Sequence, residues 1–335
     1  MLPRSDMEWT DTRRWHTLRK HTITLLGGRS DGLQVPFEAL LQTLSTLQTG
    51  AQQALRLAVE AESTRAGPRP AWLEASTRFQ LTGLGPGSVV LEVESPTLGE
   101  AAPERFEGTR VSRCDVDEEI PLDQGLSAVD LFGAALAAAL TKDRKELIAD
   151  RPLLKTIAAF ADLAGFGYEA IQISGVANST GPIVARVVDL PLLRELHDGT
   201  PPVQAARVAG TLDTISASRR DAAVVLRSGE RILVRLDSPD ADQLRKLFSR
   251  RVVISGLAHF RPSGRLLMIE AEHLAAAEPG SEAIWERVPL PRSQPSAPVA
   301  QLAGQDESSG VSAFFGIWPG PESDGELLDA LRTIR

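Results

Sequence analysis

The residue types that carry most enzyme chemistry are sparse in this chain and poorly grouped. It has one cysteine, Cys114, and five histidines: His16, His21, His197, His259 and His273. No two histidines have the His-x-x-x-His spacing that puts both on one helix face for zinc, and none neighbours Cys114. Cys114 reads as a partly buried neutral thiol rather than a nucleophile. The acidic run DVDEE, residues 115–119, has carboxylates for a hard cation but no EF-hand glycine or distal glutamate, so it reads as a solvated loop. A Gly-x-Ser-x-Gly elbow is absent. GLGPG, residues 83–87, joins two apparent strands and reads as a hairpin turn. GGRSDG, residues 27–32, joins a strand to a helix, the right context for an anion, but lacks the Gly-Lys-Ser/Thr of a phosphate loop. These residues predict no catalytic group, no cofactor and no metal.

Two other groups point to binding. Residues 203–277 carry Arg219, Arg220, Arg245, Lys246, Arg250, Arg251, Arg261 and Arg265, the basic half of a nucleic-acid groove. The aromatic half is thin: Phe248 and Phe260 alone, with Phe248 on the apolar side of a short helix and so expected in the core. A solvated arginine face is the preferred reading. The second group is the C-terminal tail. Phe314, Phe315, Ile317 and Trp318 cluster before Pro319, and Leu327, Leu328, Leu331 and Ile334 line one side of a final helix with Arg332 and Arg335 at its end. That helix is about ten residues, below the ~12–15 needed for marginal stability alone, so it needs a surface to pack on, either its own domain or, the preferred reading, a partner. Aromatic and Arg anchors are the residue types that dominate interfaces.

The segment FFGIWPGPESDGELLDALRTIR resembles the C-terminal ends of antitoxins that neutralise PIN-domain ribonucleases. Those ends carry an aromatic-Gly-x-Trp element, a short acidic stretch and a last helix with Arg. The resemblance covers residues 313–335. The preceding residues do not look like the ribbon-helix-helix or swapped-hairpin DNA-binding domain of small antitoxins. It implies an antitoxin-like partner of a toxin–antitoxin system that binds and inhibits a PIN-domain ribonuclease. Phe314, Phe315, Ile317, Trp318, Leu327, Leu328 and Leu331 would supply the contact area. Arg332 or Arg335 would enter the acidic metal cluster and replace the metal's charge with paired hydrogen bonds. The alternative is a nucleic-acid-binding adaptor that uses residues 203–277. A third reading is an enzyme whose site is assembled from distant residues.

The elements that must position these groups follow from periodicity. At 335 residues, 42% hydrophobic and 24% charged, the chain has a globular composition and length for two or three domains. Its formal charge of -8 argues against a uniformly basic nucleic-acid coat. The single cysteine fits a reducing cytosol, and the N-terminus has no apolar signal region, so a cytoplasmic protein is expected. The longest apolar stretch, residues 125–140, is broken by Asp130 and falls short of the ~20 residues that span a bilayer, so no membrane association is expected.

Residues 21–26 read as a strand. Pro36 then starts an amphipathic helix marked by Leu40, Leu44, Leu47, Ala51, Leu55 and Ala58. Residues 63–75 read as a loop, 77–84 and 88–94 as strands, and Leu126–Leu147 and Leu153–Ala164 as helices parted by Pro152. YEAIQISG and IVARVVDL are further strands. From 203 to 277 the order is three strands, a helix capped by Ser238 and Pro239, and two strands, the order of an OB- or SH3-like barrel. The fold class is therefore α+β. A mixed domain at 1–200 precedes a small β-barrel at 201–277, a Pro/Ser-rich disordered linker at 278–310 and the partner-binding tail at 311–335, with its short terminal helix.

Overall fold

The computed structural model describes residues 18–28, 35–85, 89–112, 119–141, 147–216, 221–236, 240–277 and 285–291, with backbone alone at 110–112 and 119–120. The fold is α+β: helices pack on one five-stranded sheet, and a closed five-stranded barrel follows.

The first strand, β1 (Leu18–Leu26), alternates so that His21, Ile23 and Leu25 are buried on one face. The next elements are α1 (Phe37–Glu60), α2 (Ala71–Ser76), β2 (Gln80–Gly85) and β3 (Val89–Pro96). Two four-residue helices, α3 (Leu98–Ala101) and α4 (Pro103–Phe106), lead to a small hairpin of β4 (Arg110–Ser112) and β5 (Glu119–Pro121). Helices α5 (Ala128–Leu140) and α6 (Arg151–Ala158) come next, the latter running into a 3-10 turn at Ala159–Phe166. Then come β6 (Ala170–Ser174), β7 (Ile183–Arg186) and α7 (Leu190–Gly199). The sheet order is β2-β3-β1-β6-β7, with every neighbouring pair antiparallel.

Alternating Val89, Leu91 and Val93 give β3 the same buried face as β1. Each such side chain, fully buried, is worth roughly 1.5–3 kcal/mol over an exposed one. Helix α1 is 24 residues long and buried on most sides over its second half, so it is the central rod of the molecule. Phe37 and Leu41 in its first turns stay exposed. Gly50 lets α5 approach: a Cβ there would lie 2.3 Å from the Phe132 ring. The helix ends at Ala61, whose φ of 56° turns the chain and whose N–H caps Leu57.

The barrel consists of β8 (Gln204–Ser216), β9 (Asp221–Val225), β10 (Arg231–Leu236), α8 (Ala241–Leu247), β11 (Arg251–Phe260) and β12 (Leu266–Ala276). Its closed order is β10-β12-β11-β8-β9, with β9 pairing back to β10. All pairs are antiparallel except β10 with β12, which is parallel. A parallel closure of the third and fifth strands, with a helix between the third and fourth, is the OB arrangement and decides between the two barrels the element order allowed. Val208, Leu212, Val224, Val234, Val252, Ile254 and Ile269 fill the interior. Leu233, Leu267 and Met268 point the other way and join the core of the first sheet, so sheet and barrel share apolar packing.

Several local readings change. Residues 71–76 form α2 rather than loop, because Pro70 presets an extended entry and Leu73 and Ser76 find cover. Pro152 lies inside the first turn of α6, where its missing N–H costs nothing. Asp150 is the cap, accepting from Leu153 N at 3.1 Å and Ser63 N at 2.9 Å. Asp240 caps α8 in place of Ser238 and Pro239, which lie outside the described residues. Helix α7, which follows β7, had no forecast. Residues 285–288 lie against the barrel. Glu286 accepts from Arg251 at 2.5 Å and pairs with Arg227 at 3.2 Å, Arg207 stacks over Trp285 at 5.3 Å, and Val288 packs on the barrel core. No helix among the described residues is long and apolar enough to cross a membrane.

Candidate functional site

The tail residues Phe314, Phe315, Ile317, Trp318, Leu327, Leu328, Leu331, Arg332 and Arg335 lie outside the described residues, as do Cys114, Arg219 and Arg220. The remaining basic residues do not share one groove. Arg251 is engaged with Glu286. Arg245, Lys246 and Arg250 are exposed at α8 and the turn after it. Phe248 stands among them, 48% exposed, which corrects the expectation of a core position. Helix α8 ends at Leu247, and Phe248 has already left helical geometry, with ψ at 137°. Phe260 is buried.

The arginine that finds a cavity is Arg261, and the residues it meets there were not singled out by sequence. Along β10 the alternation puts Ile232, Val234 and Leu236 inside the barrel and Arg231, Leu233 and Arg235 outside. That outer face meets the last turn of α1. Arg235 is 3% exposed there; its guanidinium donates to the Glu62 carboxylate and to the Glu60 carbonyl. Burial pushes the Glu62 carboxyl above the usual carboxylate range, against the pull of Arg235. Glu60 turns its own carboxylate to Arg56 at 2.9 Å and to Arg105 at 4.0 Å.

Beside this contact lies a cavity of about 330 Å³. Arg231, Arg235, Arg261, Thr214, Ser216 and Asp221 bring polar groups to it, and Leu57, Leu233, Leu267, Met268 and Ile148 bring apolar ones. Arg261 is buried, whereas Arg231 is exposed and donates to Thr214 Oγ1 at 3.2 Å. The face of the second and third strands, with the loops after the first and fourth, is where OB barrels take ligands. Among the described residues those parts are β9, β10 and the loop at 261–265 that holds Arg261.

A second polar cluster, His21, Ser127 and Asp130, has the residue types of a catalytic triad. His21 Nε2 is 3.0 Å from Ser127 Oγ, and Asp130 is beside them. The Ser127 hydroxyl gives its proton to Asp130 Oδ2 at 2.8 Å and accepts from Asp130 N at 3.2 Å, so His21 must donate to Ser127 rather than take its proton. Ser127 is the N-cap of α5, and Ser127, His21 and Asp130 are 0%, 2% and 2% exposed. They do not line the cavity beside α1. The cluster is a buried capping network with a titration signature. Desolvation lowers the pKa of His21 below its ordinary 6.5, partly offset by Asp130. Below pH 6.5 the unfolded chain therefore takes up a proton that native His21 refuses. The His21 contribution to the unfolding free energy from urea titration should be flat above that pH and fall below it, by up to about 1.4 kcal/mol per pH unit. His21→Gln should flatten that slope; an unchanged slope would put its origin elsewhere.

Among the described residues no group of three or more His, Cys, Asp or Glu is placed to hold a metal ion. His259 sits 3.4 Å from Glu270, and His197 is 2.9 Å from Asp198. Comparison with protein-family models and with curated proteins finds no match for this chain.

Proposed function

We propose that this chain is a non-catalytic binding protein whose OB barrel takes up an anionic ligand in the cleft beside helix α1. The supporting observation is the convergence of Arg231, Arg235 and Arg261 with the hydroxyl-bearing Thr214 and Ser216 on one cavity, at the face by which OB barrels bind. Arginine forks match carboxylate and phosphate oxygens in pairs, and their attraction strengthens where water is excluded. Titration calorimetry of the full chain with adenosine monophosphate, pyrophosphate and a ten-nucleotide single strand, at 50 and 200 mM salt, tests the reading. At least one of these anions is expected to bind, with affinity falling as salt rises. Arg231→Met and Arg261→Met should each weaken that binding tenfold or more, while Lys246→Met on α8 should not. Binding that is indifferent to both cleft arginines refutes it.

The tail supports a second reading, inhibition of a PIN-domain ribonuclease, through the run FFGIW and the arginine-ended helix after it. A PIN-domain ribonuclease encoded beside this chain should lose activity when the full chain is added and keep it when residues 311–335 are deleted. Arg332→Ala with Arg335→Ala should relieve inhibition even if the pair still copurifies. Equal inhibition by the deleted chain would discard this role for the tail.

A further inference from the structure

We infer that the cleft's occupant is a small amphiphilic anion, an apolar body with a phosphate- or carboxylate-type head, and not the backbone of a nucleic-acid strand; this rests on the reading above that the cleft takes an anion. A single strand lying on an OB barrel needs the outer face of the second and third strands open along its length. Here the end of α1 sits over part of that face: Arg235 of β10 is 3% exposed against Glu60 and Glu62, and Ala223 of β9 is 1% exposed. Arg235 is held by Glu62 and by the Glu60 carbonyl, which leaves it as a wall of the cleft rather than as a rung for successive phosphates. Strand binding also uses aromatic platforms, and none of the described residues that line the cavity is aromatic.

The lining has two halves with different chemistry. Arg231 and Arg261 bring guanidinium groups, one exposed and one buried. Leu57, Leu233, Leu267 and Met268 bring aliphatic and thioether surface from α1, β10 and β12. A free inorganic anion would satisfy the first half and leave the second in contact with water. A purely apolar molecule would cover the second half and strip water from arginines without replacing its hydrogen bonds. A molecule that carries both matches both. The volume of about 330 Å³ lies at the lower end of small-molecule pockets, which span roughly 300–1,000 Å³. Two carboxylates also line the cleft, Glu60, which is paired with Arg56 at 2.9 Å, and Asp221, against the three guanidinium groups of Arg231, Arg235 and Arg261. Met268 adds an adaptable wall, which suits a body of variable shape.

The test is titration calorimetry of the full chain with four probes: octyl phosphate, octanoate, inorganic phosphate and a ten-nucleotide single strand. Octyl phosphate or octanoate should bind at least tenfold more tightly than inorganic phosphate, and their order identifies the head group. Arg231→Met, at an exposed position, and Arg261→Met should each weaken the better of the two at least tenfold. Leu233→Ala should weaken it while leaving inorganic phosphate unchanged. Melting curves on each variant separate lost binding from lost folding. If the single strand binds at least tenfold more tightly than either amphiphile and depends on the same arginines, the ligand class is wrong while the anion cleft stands. Equal affinity for octyl phosphate and inorganic phosphate also overturns the class. If no probe binds, or binding ignores both arginines, the class and the anion cleft fall together.

Discussion

Gly256→Ala is expected to abolish the folded barrel. The Cβ added at residue 256 would lie 1.9 Å from the Glu270 carbonyl oxygen and 2.9 Å from the Ala271 Cα. Both atoms are backbone of β12, so no rotamer change relieves the overlap. The position is the register shift between Ser255 and Gly256, where β12 carries one extra residue, Glu272, opposite β11, while β11 keeps its register with β8 on its other side. Moving β11 away from β12 breaks one ladder, and moving both strands distorts the closure of β12 onto β10. Relief by local backbone adjustment is therefore expensive, and the loss should reach about 4 kcal/mol or more, a large share of the 5–15 kcal/mol that holds a typical domain. Leu233, Leu267 and Met268 also pack in the first core, so failure of the barrel should destabilise the sheet layer with it. Circular dichroism melts and urea titration give the readout. Gly199→Ala is the control: a Cβ there meets nothing within 4 Å, and it should stay within about 0.5 kcal/mol of the parent. A melting temperature for Gly256→Ala within 2–3 °C of the control would show that the two strands are not in this register.

How far such features can be read from sequence depends on whether the information is local. The alternation of β12 and the three strands, helix and two strands of the barrel are written in consecutive residues, and they led to the correct fold class before any strand pairing was known. Helix α1 was equally plain, from Pro36 and its leucines and alanines. The order of the first sheet was not, because β1 sits between β3 and β6, and nothing near Ile23 encodes pairing with both Leu91 and Ile173. Phe248 fits the apolar side of a helix on paper, but the helix stops one residue earlier, and a single turn of backbone moves the ring into solvent. The outward alternation of Arg231 and Arg235 was visible in principle along RILVRL. What gives Arg235 its role is Glu62, 173 residues away, and no spacing rule connects them. Arg261 looked like one cation among eight until the fold placed it in a cavity with apolar walls.

Asp130→Ala should cost nearly as much as the glycine change, for a different reason. In the sequence Asp130 stands out only as the charge that interrupts an apolar run. In the fold it is 2% exposed and joins four groups from three parts of the chain. Its carboxylate accepts from Ser127 N and Ser127 Oγ at 2.8 Å each and from Ala177 N at 2.7 Å, and it pairs with Arg19 Nε at 2.8 Å. It thereby completes the capping box of α5, fixes the chain after β6, and ties both to β1. Alanine would leave two largely buried backbone N–H groups without their acceptor and the one-third-exposed Arg19 side chain without its carboxylate. The expected loss is about 3–5 kcal/mol, since removing one member of a buried charged network exposes the desolvation cost of the rest. Asp130→Asn retains the shape and one acceptor oxygen but supplies N–H groups where an acceptor is needed, so it should fall between alanine and the parent. Ser127→Ala removes only the cap and the hydroxyl donor, and should cost about 0.5–2 kcal/mol. The order alanine at 130, asparagine at 130, alanine at 127, from most to least destabilised in urea, is the signature of a carboxylate at the hub. If Ser127→Ala were the most damaging of the three, the hydroxyl rather than the carboxylate would be the centre of the network, and the assignment of its protons, including the one placed on His21 Nε2, would have to be reversed.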